Sequence, residues 1–120
     1  MDNKTTIEDL KNAVSKFICD REWDPRQNCK DVAIDIVNEA NELLEIFCWK
    51  SEWDITQILK DEKKMEHIRE ELADVLYGVC SFAYFNNIDL ASSLYDKLEK
   101  TARKYPIDKC KGSNKKYTEL

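Results

Sequence analysis

Two glycines and two prolines are all that interrupt this chain of 120 residues. Glycine and proline end helices and shape tight turns, so a chain this poor in both favours long helices over a strand-and-turn fold. The apolar pattern agrees. Ile7, Leu10, Val14, Phe17 and Ile18 form one helical stripe, and Thr5 with Glu8 has capping-box spacing. A first helix is therefore expected from Thr5 to the loop that holds Pro25. A second is expected from Asn28 or Asp31 to Trp49. Its Val32, Ile36, Val37, Ala40, Leu43, Leu44 and Phe47 are too many for a narrow stripe, which predicts burial over much of its circumference. A loop with a short helix around Ile55 to Leu59 follows. The third helix is expected from Glu62 to Phe85, with Ile68, Leu72, Val75, Leu76, Val79, Phe82 and Ala83 inward. Asp89 can cap a fourth, carrying Leu90, Leu94, Leu98 and Ala102 and stopped before Pro106. Residues 107–120 read as an irregular basic tail. The expected fold is all-α, a four-helix bundle in one domain spanning 1–120.

No run of about 20 apolar residues exists to span a membrane. The N-terminal "MDNKTTIEDLKN" lacks the apolar core of a signal peptide. The five cysteines are odd in number and form no CxxC pair, the pattern of reduced thiols in a cytoplasmic protein. The net charge of -5 hides an asymmetry. From Lys97 onward the chain is basic, and the rest is acidic. A long nucleic-acid polymer would be repelled by that acidic remainder, whereas a small anion could meet the basic part.

Two acid pairs stand inside apolar helices: Glu39 with Glu42, and Glu71 with Asp74. Residues three apart share a helix face, and buried carboxylates are costly unless a basic side chain, a proton or a metal ion meets them. If the two helices are antiparallel neighbours, four carboxylates converge, an oxygen-rich set suited to a hard divalent cation such as Mg²⁺. The alternative is two ordinary acidic surface faces. A di-iron site is excluded, because it needs two Glu-x-x-His motifs and His67, four residues before Glu71, is the one histidine. Asp35 lies one turn before Glu39 and can join its face. Trp23, Trp49 and Trp53 fall near helix ends, as hydrophobic plugs or, for Trp23 and Trp49, as a wall on which a nucleobase could stack. Lys97 and Lys104 lie two turns apart on one face of the fourth helix.

The order ExxE, spacer, ExxD, here "EANE" and "ELAD", resembles the MazG-like all-α nucleoside triphosphate pyrophosphohydrolases, in their small single-domain branch that includes the dCTP pyrophosphatases. The resemblance runs from about Phe17 to the C-terminus, through "REWDP", "ELLEIFCW", "EELADVL", "IDL", "ARKYP" and "KGSNKKYTEL". It implies Mg²⁺-dependent hydrolysis of a nucleoside triphosphate to the monophosphate and pyrophosphate, in a housecleaning role. It also implies self-association as a homodimer or dimer of dimers. Position by position, it implies that Glu39, Glu42, Glu71 and Asp74 are catalytic metal ligands, that Trp23 and Trp49 surround the base, and that Lys97, Lys104 and Tyr105 approach the phosphates. The chain departs from the family at Gln27, Cys29, Cys48, Gly78 and Thr101, where the family has a histidine, a proline, a glutamine, an aromatic and an asparagine. Tyr77 stands one place before the expected aromatic, rotated by about 100° around the helix. These positions are at or beside the base pocket. The resemblance thus carries the hydrolytic core, leaving dCTP or a modified pyrimidine as a first substrate. A non-catalytic nucleotide-binding oligomer is the competing expectation, disfavoured by retention of all four acids.

Overall fold

The computed structural model describes residues 1–120 and contains helices and turns without strands. The expected four long helices are present as α1 (Ile7–Asp20), α2 (Cys29–Phe47), α4 (Glu62–Phe85) and α5 (Leu90–Lys104). The shorter α3 (Glu52–Lys60) fills the connection between α2 and α4. The chain divides into two compact units, Met1–Asn87 and Ile88–Leu120. No helix is long and apolar enough to cross a membrane.

Side-chain caps set the helix starts. The capping box of α1 uses Thr6 and Asp9, with Thr6 Oγ1 accepting from the Asp9 amide at 3.0 Å and Asp9 returning the bond at 2.9 Å. Thr5 and Glu8, which have the same spacing, lose because the Thr5 amide is already bonded to the Met1 carbonyl in a preceding turn. Asn28 caps α2 through the Asp31 amide, a Ser51–Asp54 box opens α3, and Asp61 ends α3 while capping α4. Asp89 caps α5 as expected. The second helix stops at Phe47, two residues short of the expected Trp49. Trp49 adopts a left-handed backbone, φ 61°, which turns the chain, and the Lys50 amide closes the turn on the Phe47 carbonyl.

In the first unit α4 is the central element, packed by α1, α2 and α3. Cys29 Sγ bonds Asn86 near one end of the α2–α4 seam, and Ile36 meets Gly78 further along. Partners that rise in number along α2 fall along α4, so the two helices run antiparallel. The core holds Ile18, Val32, Ile58, Cys80 and Ala83, with Ser15 and Ser81 buried among them. The expectation that α2 is buried over much of its circumference is not met: Ile34, Val37 and Leu44 are 46 %, 66 % and 56 % exposed. Leu72 and Leu76 of α4, also expected inward, are exposed as well. Apolar periodicity counts the faces that avoid water without saying which of them this chain covers by itself.

In the second unit, the expected irregular tail contains a short helix α6 (Ile107–Cys110) and a 3₁₀ turn at Tyr117–Glu119. Tyr117 packs edge-on against Tyr105 with ring centroids 6.0 Å apart, and Lys104 Nζ lies 4.9 Å from the Tyr117 ring centre. These aromatic contacts order a segment whose composition alone reads as loop.

Gly78 permits the closeness of α2 and α4, since a Cβ there would stand 2.6 Å from Ile36 Cγ1. Helix propensity favours Gly78→Ala by about 0.5–1 kcal/mol, whereas overpacking a tight core costs about 1–3 kcal/mol. The packing cost should win. Urea unfolding is expected to show a less stable Gly78→Ala variant, opposite in sign to the propensity effect.

Candidate metal centre

The antiparallel seam brings acids of both helices together. One carboxylate oxygen from each of Glu39, Glu42 and Glu71 lies within 4.8 Å of the others. Asp74 is outside this trio but near enough for its charge to act on Glu39, with which it lines a common cavity. Of the four acids singled out in the sequence, three converge and the fourth flanks them.

Their environment is unfavourable for bare carboxylates. Glu71 is buried, and Glu39 Oε2 and Glu71 Oε2 are buried without any hydrogen-bond partner. Burial, a hydrogen bond with Glu42 and the charges of Glu42, Asp74 and Glu71 push the Glu39 carboxyl up to about 7. Burial and Glu42 also raise Glu71, opposed by His67, whose Nε2 lies 3.1 Å from Glu71 Oε1. One oxygen of Glu71 is thus engaged and the other is left facing the cluster. Orphaned buried carboxylate oxygens among like charges fit a hard divalent cation, which would satisfy the free lone pairs and cancel the repulsion.

Two cavities flank the trio. One, of about 560 Å³, is lined by Glu42, Glu45, Ile46, Lys50, Ile58, Lys64, His67 and Glu71. The other, of about 300 Å³, is lined by Gln27, Val32, Asp35, Glu39, Asp74, Tyr77, Gly78 and Ser81. Its floor is polar and preset: Ser81 Oγ donates to Gln27 Oε1 at 2.8 Å, and Gln27 Nε2 donates to the Trp23 carbonyl at 3.2 Å. Asp35 joins the acidic face as expected. Tyr77 borders the cavity despite its one-residue shift, while its ring packs edge-on against Phe17 at 6.1 Å.

The tryptophans are placed less simply. Trp23 packs edge-on against Phe17 at 6.0 Å and touches the site region through its carbonyl bond to Gln27. Trp49 is fully exposed and borders neither cavity beside the acids; with Trp53, Lys50 and Lys64 it lines a third, of about 330 Å³. Trp53 is also largely exposed, so neither is a buried plug. Lys97, Lys104 and Tyr105 belong to the second unit, where Lys104 and Tyr105 contact Tyr117. Sequence reasoning missed Lys50 and Lys64. Lys64 could have been found from its position seven residues before Glu71, two turns along the same face.

Residues 34–120 match the MazG-like family. The chain is 30 % identical over 115 residues to dCTP pyrophosphatase 1 of Mus musculus, an alignment covering 96 % of this chain and 68 % of the mouse protein. Identity to dCTP pyrophosphatase 1 of Homo sapiens is 29 % over the same span and coverage. Among solved structures, it is similar to a pyrophosphatase from Archaeoglobus fulgidus, with a TM-score of 0.76 and 33 % identity over 83 % of this chain and 92 % of that one.

The acid cluster has a measurable consequence. A carboxyl whose pKa is raised on folding stabilises the native state below its unfolded value and loses that contribution as pH rises through the folded one. For Glu39 the window runs from its ordinary 4.5 to about 7. Asp9 and Asp54, held below the usual range by their caps, stay ionised across it. In a chelator, the melting temperature is therefore expected to be lower at pH 8 than at pH 5. Millimolar Mg²⁺ should recover the loss at pH 8 and do little at pH 5. Differential scanning calorimetry checks both.

Proposed function

This chain belongs to the MazG-like family, and from that premise we propose that it is a Mg²⁺-dependent nucleoside triphosphate pyrophosphohydrolase centred on Glu39, Glu42 and Glu71. The observation that carries the reading is their convergence with two buried carboxylate oxygens left unpartnered. Asp74, beside Glu39, completes the acidic wall. Oxygen ligands alone suit magnesium, which keeps several waters and binds through carboxylates and substrate phosphates. When bound, the cation supplies Lewis acidity and neutralises the charge that builds on phosphate oxygens.

The chain's own groups hold, orient and accept. Glu42 and Glu71 come from opposite helices, so the site is fixed by the rigid α2–α4 pair. His67 anchors one oxygen of Glu71 and leaves the other free to face the cluster. Water attacks the α-phosphorus; the bond from that phosphorus to the bridging oxygen breaks, its electron pair leaves on pyrophosphate, and the water proton passes to a carboxylate. The cavity of Gln27, Tyr77, Gly78 and Ser81 receives the base, with the Gln27–Ser81 pair presenting fixed hydrogen-bonding edges. The curated relatives are dCTP pyrophosphatases, and a pyrimidine deoxynucleotide, dCTP or a modified form, is the substrate proposed here. The role is removal of such nucleotides from the cytoplasmic pool.

Self-association is proposed through the exposed apolar residues of α2 and α4. Ile34, Val37 and Leu44 recur at helical spacing on α2, and Leu72 and Leu76 on α4. About half of each side chain is still open to water, and covering that remainder against a second copy is the favourable term for association.

A pyrophosphate-release assay over a panel of nucleoside triphosphates tests the reading. Turnover is expected with Mg²⁺ and absent in chelator, and Glu42→Ala should lower kcat by more than about a hundredfold with the fold intact by circular dichroism. Wild-type protein that releases no pyrophosphate from any nucleotide, or a fully active Glu42→Ala variant, would overturn it.

A further inference from the structure

The two cavities beside the acid trio differ in charge. The one holding Glu39 and Asp74 adds Asp35 and no cationic side chain. Every basic group that borders either cavity lies on the other side: Lys50, Lys64 and His67, around Glu42 and Glu71. A triphosphate laid across the acids in the reverse direction would push its most highly charged end against three carboxylates with no counter-charge. Laid in the forward direction, it places that end where Lys50 and Lys64 offset the carboxylates of Glu42, Glu45 and Glu71.

The basic side is built by the fold. Lys64 stands in the first turn of α4, seven residues before Glu71 and three before His67, so all three share one face. Lys50 reaches the same cavity from the end of α2 because Trp49 takes a left-handed backbone that turns the chain there. A tryptophan in that region is strained, and such strain collects where a site demands a particular chain path. Neither lysine is within ion-pair distance of an acid. Glu71, nine-tenths buried, borders the same cavity and carries an unpartnered oxygen. At about 560 Å³ the space is within the usual range for a small-molecule site.

We propose that the cavity of Lys50, Lys64 and His67 binds the pyrophosphoryl end of the nucleoside triphosphate and retains inorganic pyrophosphate after cleavage. This rests on the hydrolase reading above and gives the substrate a direction: base toward Gln27 and Ser81, terminal phosphates toward Lys50 and Lys64. Lys50 and Lys64 supply charge-assisted contacts to phosphate oxygens, so the leaving group departs beside cations that offset the carboxylates of Glu42, Glu45 and Glu71 in the same cavity.

Inorganic pyrophosphate is the probe. Isothermal titration with Mg²⁺ present compares the wild-type chain with Lys50→Ala/Lys64→Ala and with Lys50→Arg/Lys64→Arg, using pyrophosphate and a nucleoside monophosphate in parallel. The alanine pair should weaken pyrophosphate binding by at least about tenfold and leave monophosphate binding unchanged, while the arginine pair should keep most of the affinity. Unchanged pyrophosphate affinity in a folded alanine pair overturns the assignment, as does an equal loss for both ligands. A wild-type chain that hydrolyses nucleotides while the alanine pair binds pyrophosphate normally defeats the subsite alone. A wild-type chain without turnover defeats the hydrolase reading and the subsite with it.

Discussion

Like charges held together across the α2–α4 seam are the constraint on which the rest depends. Glu39 and Glu42 from one helix meet Glu71 from the other, with Asp74 beside them. Packing forces them into proximity. Gly78 lets Ile36 approach the α4 backbone, and the Cys29–Asn86 contact fixes the register further along. A seam this tight cannot splay to relieve repulsion, so Glu39 is driven toward its protonated form and two carboxylate oxygens remain without partners. The same packing that costs stability in the bare protein holds these carboxylates where a cation could meet them.

The surroundings give the cluster an orientation. On one side the Gln27–Ser81 hydrogen bond stands beside Asp35, Glu39 and Asp74 with no cation, and on the other Lys50, Lys64 and His67 join Glu42, Glu45 and Glu71. Nucleoside triphosphates carry the same asymmetry, an uncharged base at one end and a dense charge at the other. In the proposed orientation the acids stand beside the bond between the α-phosphorus and the leaving pyrophosphate.

Much of this was legible in the sequence. Asp89 caps α5 as its residue type and place suggested, and Asn28, one of the two expected starts, caps α2. The acid pairs stood out because carboxylates amid leucine and valine demand a reason. What the sequence hid depends on distance along the chain. Lys50 and Lys64 are fourteen residues apart and share a cavity because α3 and a left-handed Trp49 fold them together. Thr5 and Thr6 could not be separated by spacing, since the deciding contact is a backbone bond to Met1. Val37 and Leu44 read as core because periodicity registers an apolar face whether this chain or a second copy covers it.

Divalent-cation binding by the three converging glutamates can be measured with no nucleotide present. Mn²⁺ titration followed by electron paramagnetic resonance counts free and bound ion directly. The wild-type chain is expected to bind Mn²⁺, with Mg²⁺ competing, and Glu71→Gln, which keeps shape and removes charge, to lose at least about tenfold in affinity. Equal Mn²⁺ affinity in wild-type and Glu71→Gln protein, or no binding in either, would contradict the account.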